Sequence, residues 1–316
     1  MPRYAGWRRS LSLKRVGVAV LITCVQGLLL TACSKDLVTG TEKESGLVSE
    51  LTPTAQLLDL SERFWALAEA NDDFLRNASG RIELTLPDRS HSGVKQVAVQ
   101  ADVLLQALNA VTHQQLSHED TLTAALLQRD LKLLAEASEH HWLFFDVTAY
   151  NGGYVMSSEL VPALNRIDLA APDGVEHYLS LFSDAGRFIG ELTNKLQGQR
   201  QRGILLSKAA IPQIRTLYSG VRESLEELTR FDQSRLKGVT PDLAQHLKDE
   251  TASVLHKVLY PALDRLLDEL GDDYMAQAPK AAGLYQYPGG EAYYQYLIQR
   301  ETSLDLTPDQ IHQMGL

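Results

Sequence analysis

Apolar side chains recur at intervals of three and four along most of this chain, the spacing that gathers them on one face of a helix. Behind the start signal Thr52-Pro53, residues Leu57, Leu60, Phe64, Leu67 and Leu75 predict an amphipathic helix from Pro53 to Arg76. Val97, Ala101, Leu104, Leu105 and Leu108 predict a second over residues 93–111. Ser117-His118-Glu119-Asp120 offers a capping box for a long third helix, running through Leu122, Leu126, Leu133 and Leu134 towards Trp142. Asn151-Gly152-Gly153-Tyr154 reads as a loop, and Pro162 and Pro172 keep the next stretch short and irregular. Helical spacing resumes from Asp173 to Gln197, ended by Gly203, and again from Ser207 to Phe231. Thr240-Pro241 opens a further helix that is bent at Pro261 and stopped by Gly271. Period-two alternation appears at Arg81-Ile82-Glu83-Leu84-Thr85-Leu86, the one strand signal of the chain. The pattern predicts an all-α fold, an elongated multi-helix body with at most one short strand or hairpin. No fixed-period repeat points to a solenoid.

The end of the chain is dense in start chemistry. Thr307 is placed as a helix N-cap, Pro308 suits the first helical position, and Gln310 reaches back to close a capping box flanked by Leu306 and Ile311. A helix of about two turns is unstable alone in water, so the expectation is a chain built to continue past Leu316. Ahead of it lies Pro288-Gly289-Gly290, whose glycines permit close backbone approach or positive φ, followed by tyrosines able to stack on a ligand. Two readings stand side by side. In one, Gly289, Gly290, Glu291 and Tyr294 bind substrate; in the other the turn is a helix entry with Tyr293, Tyr296 and Leu297 as core. With the helix begun at Thr307, Tyr293, Tyr296 and Leu297 are also expected to leave apolar surface open for a downstream segment.

These residues carry a resemblance. The run from Tyr287 to Tyr294, then Leu297, Thr302 and the stretch Asp305 to Leu316, resembles the signature of the bacterial family called domain of unknown function 885, and the helical stretch from Pro53 to Lys280 resembles its N-terminal half more weakly. Full-length relatives carry a zinc-peptidase-like H-E-x-x-x-G-H-H segment downstream. The resemblance therefore implies a zinc-metallopeptidase-like protein of which this chain is the N-terminal half, without the catalytic half. It also implies that the Gly289–Gly290 turn lines the cleft opposite a zinc helix, with zinc and a peptide substrate belonging to the full-length form.

At the other end, Arg8-Arg9 and Lys14-Arg15 precede an apolar run from Val16 to Leu30 that is short for a membrane span. It closes with Leu30-Thr31-Ala32-Cys33, which resembles the bacterial lipoprotein box, cut before the cysteine and acylated there. The expected organisation is a signal peptide over 1–32, a flexible tether over 33–51 and a helical domain over 52–316. Cys33 is the lipidation site and the membrane the partner it reaches. Ser34 stands where an Asp would favour retention at the inner membrane, so the resemblance points to the outer membrane, facing the periplasm.

Removing residues 1–32 takes away five basic and no acidic residues, leaving 25 basic against 40 acidic side chains and a formal charge of −15. That balance argues against nucleic acid. With Cys24 removed and Cys33 acylated, no thiol remains for a disulfide, zinc or nucleophilic catalysis. A zinc peptidase needs two histidines one helical turn apart with a glutamate between them. No H-E-x-x-H occurs: His118-Glu119 is followed by Leu122 where the second histidine belongs, and His140 and His141 are adjacent, about a hundred degrees apart on a helix. His113 and His118 flank a helix boundary and read as solvated loop and cap residues. No catalytic residue and no metal ligand is assigned, and no cofactor is expected in this chain.

Overall fold

The computed structural model describes residues 51–71, 84–148 and 150–316, the side chain of His113 excepted. The signal segment, Cys33, all but the end of the tether and residues 81–83 of the expected strand lie outside them. Among the described residues all regular structure is helical, as the hydrophobic pattern predicts: α1 (Pro53–Asn71), α2 (His91–Asn109), α3 (His118–Glu136), α4 (Gly152–Tyr154), α5 (Val161–Arg166), α6 (Gly174–Gln201), α7 (Ile211–Glu227), α8 (Pro241–Val254), α9 (Tyr260–Glu269), α10 (Asp272–Gln277), α11 (Gly290–Thr302) and α12 (Pro308–Gly315). No helix among them is long and apolar enough to cross a membrane.

The first three helices share one core. Leu57, Leu60, Phe64 and Leu67 of α1 pack with Ala101, Leu104 and Leu108 of α2 and with Ala124, Leu127 and Leu131 of α3. Ser90 caps α2 by accepting from the Gly93 amide at 3.0 Å, so the helix starts at His91, two residues before the expected Gly93. Ser117 caps α3 through the Asp120 amide at 3.1 Å. The face of α3 differs from the expectation. Leu122 and Leu126 are 54% and 45% exposed, while Ala124 and Leu131 are fully buried and Leu127 nearly so. Leucines occur on several sides of this helix, and the side that joins the core with α1 and α2 is the one carrying Ala124, Leu127 and Leu131.

The larger core surrounds α6. Phe182, Phe188, Leu192 and Leu196 are buried with Ile211 and Ile214 of α7, Leu247 of α8 and Leu263 and Leu266 of α9. Each such side chain contributes about 1.5–3 kcal/mol relative to exposure. Two π-helical segments, Val155–Leu160 and Leu255–Leu259, join α4 to α5 and α8 to α9. Each is followed two residues later by a proline, Pro162 or Pro261. A proline lacks the amide a helix uses and crowds the carbonyl four residues back, here that of Ser158 or Lys257, both inside the π segments. The wider turn absorbs the proline without ending the helix. The segment expected as a loop and broken stretch is thus helical from Gly152 to Arg166.

Beyond Glu136 the chain of α3 tightens into a 3-10 helix, Ala137–Leu143, whose Leu143 joins Ile204, Tyr287, Tyr293 and Tyr296 in a third, aromatic cluster. Tyr293 and Tyr296 are buried, 4% and 8% exposed, so they do not leave the apolar surface expected of them. The Thr307 capping box forms as expected, with Gln310 N–H donating to Thr307 Oγ1 at 3.2 Å and Thr307 N–H donating to Gln310 Oε1 at 2.8 Å. Among the described residues, Leu84 to Leu86 form no strand. The Leu86 amide donates to Asp184 at 2.6 Å and its carbonyl accepts from Arg187 at 2.7 Å, so helix side chains take the bonds a neighbouring strand would have made.

The register of α3 is checkable by urea unfolding. Leu127→Ala is expected to cost about 2–5 kcal/mol, the range for an emptied core position, and Leu126→Ala to stay within about 0.5 kcal/mol. The reverse ranking would place the expected stripe back in the core.

Candidate functional site

A polar stripe on α6 organises the most densely charged part of the interior. Asp184, Arg187, Glu191, Lys195, Gln199 and Arg202 recur every three or four residues and so share a face of the helix and its C-cap. That face holds two segments that lie outside the α-helices. Asp184 and Arg187 bind the backbone of Leu86, and Glu191 accepts from the Arg89 amide at 2.8 Å. Gln199 donates to the carbonyls of Trp142 at 2.9 Å and Phe144 at 3.2 Å. Burial raises the pKa of Glu191, opposed by its bonds to Arg187 and to the Arg89 backbone.

Between those anchor points Lys195 donates to Asp146 Oδ2, with side-chain exposures of 4% and 2%. Arg89 Nε stands 3.8 Å from the other carboxylate oxygen, an ion pair too long for a direct hydrogen bond. The Phe144 ring lies 5.0 Å from the ammonium. Burial lowers the pKa of Lys195 and Asp146 opposes that shift, the behaviour of a charge that stays buried because its partner does. Tyr218, fully buried on α7, has its hydroxyl without a hydrogen-bond partner, and burial first and then Asp146 push its pKa up.

The adjacent histidines diverge. His140 packs against Tyr293 and Tyr296 of α11 with tilted rings, centres 5.1 and 4.6 Å away, and burial lowers its pKa. His141 turns the other way, to His91 at 5.0 Å and edge-on to Trp142 at 4.7 Å. It is 3% exposed, and its Nδ1 has no hydrogen-bond partner. Burial first, then Lys195, His91 and Arg202, lower its pKa to about 3. His118 is exposed at the first residue of α3. Among the described residues no three His, Cys, Asp or Glu side chains come together that are able to hold a metal ion.

The Pro288-Gly289-Gly290 turn is the entry to α11. Gly289 is left-handed at φ 77°, and a Cβ on Gly290 would come 1.7 Å from the Leu284 carbonyl oxygen, so neither position accommodates a side chain without moving the backbone. Tyr287 donates to the Leu205 carbonyl and Tyr296 to the Leu133 carbonyl at 2.9 Å, while Arg129 binds the carbonyls of Gln299 and Arg300 near the end of α11. Glu291 and Tyr294 are exposed beside the turn, Tyr294 by 45%. Tyr293 faces inward, and its pKa is pushed up to about 12, by burial first and by Asp146 among the smaller causes. Tyr293 shares a cluster with Leu143, against which Phe144 and Phe145, the two residues before Asp146, also pack. Sequence reasoning did not single out Asp146, Lys195, Arg89 or Gln199. The available signal was polar residues at helical spacing in α6, which ordinarily marks a solvated face.

His141 gives a pH prediction. The folded state keeps it neutral down to about pH 3, whereas a free histidine takes up its proton near pH 6.5. Between those values the unfolded chain binds more protons, so this contribution is complete above about pH 6.5 and drains as pH falls towards 3. Urea unfolding is expected to show stability falling across that window in wild type and falling less in His141→Gln. Equal pH dependence would remove His141 from the account.

Three comparisons bear on what this architecture is. No curated protein matches the chain in sequence. A solved structure described as "the putative lipoprotein from Colwellia psychrerythraea" superposes with a TM-score of 0.58 at 17% identity, covering 84% of this chain and 48% of that one. At that identity the likeness is one of fold, and this chain spans about half the neighbour's length. The family model described as "Bacterial protein of unknown function (DUF885)" matches residues 76–316, well over half of the chain, and to that family this chain belongs.

Proposed function

We propose that this chain is a membrane-anchored lipoprotein facing the periplasm, resembling the N-terminal half of a zinc metallopeptidase and not catalytic by itself. The observation that carries the reading is the order at the N-terminus. Basic residues, an apolar run and Leu30-Thr31-Ala32-Cys33 stand ahead of a helical body of this family. The description of the Colwellia neighbour as a lipoprotein supports it. Lipid on Cys33 ties the body to a bilayer, the outer membrane by the choice of Ser34. Within the body, Glu291 and Tyr294 beside the Gly289–Gly290 turn are the proposed substrate-facing residues, meeting peptide together with zinc-bearing residues that the H-E-x-x-H-free sequence does not supply.

A second reading, a helical scaffold or ligand-binding lipoprotein, is favoured by the cationic and aromatic residues gathered around Trp142.

Two measurements test the first reading. The wild-type chain is expected to incorporate radiolabelled palmitate and Cys33→Ser to remain an unlabelled precursor; labelling that persists in the variant sinks the anchor. The purified chain is expected to bind no stoichiometric zinc and to hydrolyse no peptide. Tight one-to-one zinc that is lost in His140→Ala would mean the histidines form a centre after all.

A further inference from the structure

We propose that the Trp142 platform, with Arg202 over its ring and His91 beside it, binds a small carboxylate-bearing ligand with an apolar body. This assignment requires neither the anchor nor the peptidase likeness.

The platform is built rather than incidental. A Cβ on Gly198 would come 2.3 Å from Trp142 Cζ3, so the indole lies directly on α6 where only glycine leaves room. Gln199 fixes the Trp142 and Phe144 carbonyls from the next position of the same helix. The ring is therefore held before any ligand arrives, which lowers the ordering cost of binding.

Arg202 lies with its guanidinium carbon 3.9 Å from the Trp142 ring centre. One of its nitrogens donates to the Gly198 carbonyl at 2.8 Å, and among the described residues no carboxylate forms an ion pair with it. It is an exposed residue, and a guanidinium seated over an indole with one nitrogen bonded to a carbonyl keeps further N–H groups in the fork geometry that a carboxylate matches. His91 is exposed too, its ring tilted to that of Trp142 with the ring centres 5.4 Å apart. The half-buried indole and the His91 ring supply an apolar rim.

The local charge favours an anion within a chain of formal charge −10. The neighbouring charges that act most on buried His141 are Lys195, His91 and Arg202, and all lower its pKa. Of the nearby acids, Asp146 is paired with Lys195 and Arg89, Glu191 with Arg187 and the Arg89 amide, and Asp88, three residues before His91, accepts from the Ser90 amide. A carboxylate at Arg202 would meet positive charge on the platform and behind it without displacing an existing pair.

The test is calorimetric titration of the full chain in non-ionic detergent with N-acetyl-phenylalanine and with its amide. The acid is expected to bind saturably and the amide about tenfold more weakly or less, the ratio for one lost charge-assisted hydrogen bond. Arg202→Gln, a change at an exposed residue, is expected to weaken the acid about tenfold while the circular dichroism spectrum stays unchanged, and His91→Gln to weaken it by a smaller factor. No saturable binding of the acid up to about 10 mM, equal affinity for acid and amide, or an Arg202→Gln chain that binds the acid as well as wild type would each overturn the assignment.

Discussion

A lysine ammonium and an aspartate carboxylate taken out of water together set the terms for the rest of this structure. Neither charge is tolerable alone at the depth of Lys195 and Asp146, where an unpaired ion costs several kcal/mol. The pair therefore fixes where residue 146 lies on α6. Because Gln199 binds Trp142 and Phe144 a turn further along, the whole segment from 142 to 146 is docked in one register. Arg89, Asp184, Arg187 and Glu191 do the same for the segment that leads into α2. Hydrophobic burial supplies most of the stability, but it is non-directional; the polar stripe of α6 decides which backbone carbonyls and amides meet which side chains.

That division of labour explains how family-signature residues and the buried pair come to share one region. The tyrosines of α11 reach the end of α3 and the 3-10 segment after it, with Tyr296 bonded to the Leu133 carbonyl and both Tyr293 and Tyr296 in ring contact with His140. On the other side of the same segment His141 and Trp142 meet His91 and Arg202. Two adjacent histidines thus serve opposite faces. The arrangement suits a wall that presents aromatic and cationic groups, and it separates the two imidazoles instead of converging them on one point.

The all-α architecture was legible from apolar spacing, and the caps at Ser117, Thr240 and Thr307 were legible because their side chains bond within three residues. Three things were not. The buried face of α3 was misread because Leu122 and Leu126 look like core, whereas the face that packs with α1 and α2 is the one carrying Ala124, Leu127 and Leu131. The helix through Pro162 was misread as a break because proline signals an end locally, and only packing holds the π turn that accommodates it. The pair of Asp146 and Lys195, 49 positions apart, has no local signature at all. Conversely the glycines at 289 and 290 stood out, and the structure accounts for their presence through turn geometry.

The most direct measurement is a double-mutant cycle on that pair, read by urea unfolding near neutral pH. Asp146→Ala should cost about 3–5 kcal/mol by leaving the Lys195 ammonium buried and unpaired, and Lys195→Met in the same background should recover a large part of that loss. A single Asp146→Ala cost within about 0.5 kcal/mol, the level of an ordinary surface change, or two effects that simply add, would contradict the claim that this interaction holds the region together.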